Sequence, residues 1–127
     1  MPAPSTFDYG VVRVVPRVER GEFINAGVIL YCRVRDFLAA RVTLDRPRLQ
    51  ALSPAAEADE IERHLQALVA VCAGHPDAGP IATLPPAERF HWLVAPRSTV
   101  IQVSPVHSGL CTDPQTTLDR LFAQMVA

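Results

Sequence analysis

The sequence predicts an α+β fold: an antiparallel sheet of three to four strands, an N-terminal meander plus one later strand, covered by helices. Three observations predict it. Residues 9–44 alternate with the period of two that marks strands. Beyond residue 53 apolar side chains recur at helical spacing, and a β-branched stretch, Thr99 to Val103, interrupts that helical half. The order βββ-α-α-β-α puts strands first and helices after, which suggests a sheet with its helices on one face.

The first strand is expected from Tyr9 to Val18, with Tyr9, Val11, Arg13, Val15 and Arg17 on one face and Val12, Val14 and Val18 on the other. Pro16 has no N–H to donate and belongs at an edge or a bulge. Glu19-Arg20-Gly21-Glu22 turns the chain into a second strand, Phe23 to Arg33, and the pair forms a hairpin. Gly27 inside that strand marks a bulge or a close packing contact. After a turn at Arg35-Asp36, Phe37 to Leu44 completes the meander.

Ser53 is expected to cap the next helix, with Pro54 in its first position. Ile61, Leu65, Leu68, Val69 and Cys72 line its buried face, Asp59 and Arg63 pair across one turn on the other, and Gly74 with Pro76 ends it. Residues 75–86 read as a surface loop. A short helix from Pro86 to Ala95 turns Phe90, Leu93 and Val94 inward; Phe7, Trp92 and Phe122 also read as core. Asp113-Pro114 opens a last helix, with Leu118, Leu121, Phe122 and Met125 in one apolar stripe. At 127 residues the chain has the length of one domain and buries roughly two-thirds of its unfolded surface.

All 12 basic residues are arginine. Without lysine there is no Schiff-base chemistry and no phosphate-loop lysine. No glycine-rich loop joins a strand to a helix, so phosphate-loop and dinucleotide sites are excluded. The net charge of −1 and the 6% aromatic content disfavour a nucleic-acid binder. Cys32, Cys72 and Cys111 with His64, His75, His91 and His107 offer no closely spaced ligand pair, so no metal and no cofactor are expected. The N-terminus lacks a basic residue ahead of an apolar run, and the longest uncharged apolar stretch, Leu65 to Gly74, is far short of the ~20 residues of a membrane span. Scattered cysteines suit a reducing compartment, and the expectation is a cytoplasmic protein.

Two groups of candidate site residues remain. Arg97-Ser98 through His107-Ser108-Gly109 holds the densest set of reactive groups, and a histidine beside a serine can accept its proton. No acid partner stands at a motif spacing and no nucleophile elbow is present. Serine, proline, histidine and glycine also compose an ordinary turn, so the turn reading outranks catalysis by His107 and Ser108. The second group is basic. Residues 1–52 carry eight arginines and five acids, net +3, whereas the remainder is net −4. Arg13 and Arg17 share a strand face and Arg20 sits at the adjoining turn, an arrangement suited to a carboxylate, a phosphate or an acidic partner. An exposed hairpin edge also permits a homodimer.

The segments Phe7-Asp8-Tyr9-Gly10-Val11-Val12-Arg13-Val14-Val15-Pro16 and Glu19-Arg20-Gly21-Glu22-Phe23-Ile24-Asn25-Ala26-Gly27-Val28-Ile29-Leu30 resemble the opening of the bacterial domain-of-unknown-function family 3037. Arg89-Phe90-His91-Trp92-Leu93-Val94-Ala95-Pro96-Arg97-Ser98-Thr99-Val100-Ile101-Gln102, followed by Ser104-Pro105-Val106-His107-Ser108-Gly109, is similar to that family's second signature. The resemblance spans nearly the whole chain and directs attention to the matching polar positions Arg13, Glu19, Arg20, Glu22, Asn25, Arg89, Arg97, Ser98, His107 and Ser108. Members of that family often lie beside genes for HipA-like kinases, so the resemblance implies an accessory role with such a kinase as partner. The expectation is therefore a non-catalytic interaction domain that presents the Arg13, Arg17 and Arg20 hairpin. The alternative is a small anion- or phosphate-ligand binding protein or enzyme using Arg97, Ser98 and His107.

Overall fold

A computed structural model describes residues 3–126. Five strands form one antiparallel sheet: β1 (Ser5–Val14), β2 (Ile24–Cys32), β3 (Phe37–Val42), β4 (Ile101–Val103) and β5 (His107–Cys111). The order is β3-β2-β1-β4, and β5 also pairs with β1. Four helices accompany them: α1 (Arg46–Leu52), α2 (Ala58–Ala73), α3 (Pro86–Val94) and α4 (Pro114–Met125). No helix among the described residues is long and apolar enough to cross a membrane.

The meander and the later strand stand where the sequence places them, but β1 starts earlier and stops earlier than expected. Val15 still donates to the Val100 carbonyl; Pro16 then has no N–H, and the chain leaves the sheet into the turn that carries Arg17 and Arg20. Arg17 is consequently on the turn, not on a strand face beside Arg13.

The helices occupy both faces of the sheet, not one. β2 is a nearly unbroken apolar run that is buried on both sides, as central strands covered twice are. Val28, Leu30 and Cys32 pack with Phe7, Leu118 and Leu121 beneath α4. Ile29 packs with Val12, Val14, Leu49, Leu65 and Phe90 beneath α1, α2 and α3. A bulge separates the two patterns: Val12 pairs with Gly27 but Arg13 with Asn25, so Ala26 is extra and residues before it exchange faces. Ile24 and Ala26 thereby join the α1–α3 core, and Asn25 turns toward α4, where its Nδ2 donates to the Met125 carbonyl at 3.0 Å.

Several elements were illegible as sequence. Asp45 accepts the Arg48 amide at 3.1 Å and caps α1, while Ser53 closes that helix rather than opening the next, its amide donating to Leu49. α2 therefore begins later, at Ala58, and its Asp59 pairs with Arg46 of α1 at 2.8 Å, not with Arg63. Gly74 does end it, in the left-handed conformation at φ 68°. Residues 76–83 form two single-turn 3-10 helices, with Ala82 buried, instead of an open loop. β5 is a further such element. His107-Ser108-Gly109 reads as a turn, yet it pairs with Tyr9, Asp8 and Phe7 of β1, and Gly109 lies so close to the Phe7 ring that a Cβ there would come within 2.8 Å.

Candidate functional site

A concavity with an apolar lining lies on the α1–α3 side of the sheet, a groove of about 540 Å³. Ile101 and Val103 of β4 form its floor; Ala67, Leu68 and Val71 of α2 form one wall, and Trp92 and Leu93 of α3 the other. Arg97 to Val100 and Val18 of the hairpin turn complete it. Trp92 is 44% exposed, so the aromatic read as core is a surface group. The sequence contains the signal: Trp92 lies two residues from Phe90, ~200° around the helix, while Leu93 returns to the buried side.

Arg97 explains why the tryptophan stays in place. Its Nε donates to the Ala95 carbonyl at 3.3 Å and a terminal nitrogen donates to the Trp92 carbonyl, so it satisfies the open end of α3. The guanidinium lies 4.7 Å from the Trp92 ring centroid, a cation–π contact. Arg97 and His64 are the basic side chains of the lining, and no carboxylate faces the groove. The site is an apolar cleft with a cationic rim. It holds no nucleophile, base and acid in mutual reach.

Ser98 lines the groove beside Arg97, but His107 does not. Val103 pairs with Val12, whose side chain faces the α1–α3 core; His107 pairs with Tyr9, whose ring packs with the α4 cluster. The sheet thus separates Arg97 and Ser98 from His107, and the three do not converge. His107 stacks on Tyr9 with ring centroids 5.4 Å apart. Ser108, next along the strand, faces the opposite way and donates to the Asp8 carboxylate. Adjacent strand residues point apart, which denies His107 the Ser108 proton.

The remaining candidates are held by their neighbours. Arg17 pairs with Glu19 at 2.9 Å and Arg20 pairs with Glu22. The hydrogen bond from Arg20 holds the Glu22 carboxyl below its ordinary value, and Glu22 in turn raises the Arg20 guanidinium. The turn is thereby neutral by internal pairing. Arg89 is a clasp: its terminal nitrogens donate to the Leu84 carbonyl at 2.8 Å and the Cys72 carbonyl at 3.4 Å, tying α3 to the end of α2. Arg13 and Asn25 sit side by side on β1 and β2, facing the α4 side. Among the described residues no three His, Cys, Asp or Glu side chains gather at metal-binding distance.

A family model described as a protein of unknown function (DUF3037) covers residues 9–126. No curated protein and no solved structure matches the chain.

Proposed function

The chain belongs to the DUF3037 family, and on that premise we propose that it is a non-catalytic binding domain whose groove receives an apolar segment of a protein partner. The observation that carries this reading is Trp92, exposed on the wall of an apolar cleft and pinned by Arg97. Tryptophan and arginine supply a disproportionate share of interface energy, and a side chain already fixed loses little entropy on binding. The rim carries Arg97 and His64 without an acid, so the segment that fits it bears a carboxylate beside its apolar residues. A HipA-like kinase is the partner that the family resemblance implies. Three buried, unpaired thiols favour a reducing, cytoplasmic setting.

The test is a titration of the chain with a purified HipA-like kinase by calorimetry. Trp92→Ala and Arg97→Ala should each weaken binding tenfold or more, the cost typical of an interface hot spot. Charge reversal at Arg17 and Arg20, whose charges are internally paired, should change it by less than about threefold. Full affinity in the Trp92→Ala, Arg97→Ala double variant removes the groove from the interface. Loss of binding on reversal at Arg17 and Arg20 alone moves the interface to the hairpin.

A further inference from the structure

We propose that Arg13, flanked by Asn25 and Gln102 in one row across the sheet, forms a carboxylate-binding site separate from the groove. Arg13 on β1 pairs directly with Asn25 on β2 and with Gln102 on β4. Directly paired residues project to the same face, so one guanidinium stands between two carboxamides. The row lies on the α4 side of the sheet, whereas the groove lies on the other.

Three features make this row a site and not only a solvated patch. Arg13 is half-buried, yet among the described residues it has neither an ion-pair partner nor a hydrogen-bond acceptor. Its Nε is buried without a partner, which leaves its two terminal nitrogens as the available donors. The Phe23 ring lies 4.2 Å below the guanidinium and holds its plane, while Phe23 itself is 45% exposed. Finally, both amides are oriented: Asn25 by the Met125 carbonyl at 3.0 Å and Gln102 by the Thr99 carbonyl at 2.9 Å. Arg17, Arg20, Arg89 and Arg97 spend donors on Glu19, Glu22 or backbone carbonyls; Arg13 keeps its own.

A planar fork with two parallel N–H groups matches a carboxylate, which it binds in bidentate fashion. Partial burial lowers the local dielectric and strengthens that pair relative to one formed by an exposed arginine. Stacking on Phe23 fixes the fork in advance, so little side-chain entropy is lost on binding.

The experiment is an NMR titration of the full chain with sodium acetate, with sodium chloride substituted to hold ionic strength constant. The Arg13 Nε–H signal and the side-chain amides of Asn25 and Gln102 should shift in a saturating manner. Arg48, exposed and on α1, supplies the baseline for a nonspecific response. Arg13→Lys, which keeps the charge and loses the fork, should reduce the acetate affinity at least fivefold. Gln102→Leu on the edge strand, which leaves Arg13 in place, should reduce it at least twofold, so the proposal stays testable if Arg13 variants fold poorly. Equal shifts at Arg48, equal shifts with chloride, or saturation by phosphate but not by acetate would each overturn the assignment. None of these outcomes depends on Trp92, so the site stands or falls independently of the groove.

Discussion

The hydroxyl of Ser104 accepts the amide of Val11 at 2.9 Å, and the Ser104 amide donates back to the Val11 carbonyl at 2.9 Å. The chain that runs along β1 is broken here. Val103 still pairs with Val12, but His107 pairs with Tyr9, so three residues stand opposite two. At that bulge a side-chain oxygen takes over the acceptor role that a strand carbonyl would fill.

Ser104→Ala is expected to leave the buried Val11 N–H without an acceptor and to cost about 1–3 kcal/mol. Urea denaturation measures it. Ser108→Ala, at an exposed position four residues on, should stay within about 0.5 kcal/mol. Similar losses for the two would show that Ser104 does not bridge the break.

Gly27 is required by proximity. A Cβ there would come within 2.7 Å of the Arg41 carbonyl oxygen, a backbone atom of β3 that cannot swing aside. Gly27→Ala should therefore cost about 1–3 kcal/mol, by the logic of overpacking. Gly21 is the control, since it sits at φ +71° with nothing within 4 Å of the added carbon. Gly21→Ala should cost only the left-handed strain of about 1–2 kcal/mol. Thermal unfolding of both variants decides between them, and a larger loss at Gly21 contradicts the account.

The thiols should be silent in the native protein. Burial pushes the Cys72 thiol up to about 12, and burial followed by the neighbouring Cys32 raises Cys111. Thiolate, not thiol, attacks a disulfide reagent, and Cys32 is fully buried. Ellman's reagent at pH 8 should react with all three cysteines in guanidinium chloride but with none in the native chain except at the rate of unfolding. A fast native phase would disprove this.

Acid sensitivity should trace in part to the start of α4. The Asp113 carboxylate accepts from the Thr116 hydroxyl at 2.7 Å and from the Gln115 amide at 3.2 Å, and these bonds, the hydroxyl foremost, hold its carboxyl below the usual aspartate value. A value depressed by folding stabilises the protein above the unfolded pKa of about 4, and the contribution is lost as pH falls through the folded value. Asp113→Asn keeps an acceptor oxygen and cannot titrate, so Tm against pH between 2 and 6 should be flatter in the variant. Identical slopes would dismiss the role.

Much of the architecture was legible because local chemistry and tertiary packing agree. Asp113-Pro114 opens α4, Gly74 closes α2, and the Phe90 and Leu93 face of α3 is buried, as capping and periodicity require. Illegible elements are those where local chemistry points elsewhere. His107-Ser108-Gly109 has turn composition, and only the free edge of β1 makes it a strand. Ser53 is a good opening cap that is used as a closing one, because Asp45 and Pro47 start a helix just before it. Of the site, Arg97 and Ser98 were legible as candidates, while Trp92 was hidden among apolar neighbours.

The sequence by itself determined the α+β class, the meander, the helices α2, α3 and α4 with the strand β4 ahead of the last, and the exclusion of lysine chemistry. These follow from periodicity, caps and composition, which act within a few residues. Only the tertiary structure decided which polar groups meet. It put Arg97 and His107 on opposite faces of the sheet, paired Arg17 and Arg20 with Glu19 and Glu22, and left Arg13 between Asn25 and Gln102. The physical reason is register: one extra residue at Ala26 and one opposite Gly10 and Val11 reverse which face a side chain presents. Such a shift depends on partners 100 residues away and more, and no local pattern records it.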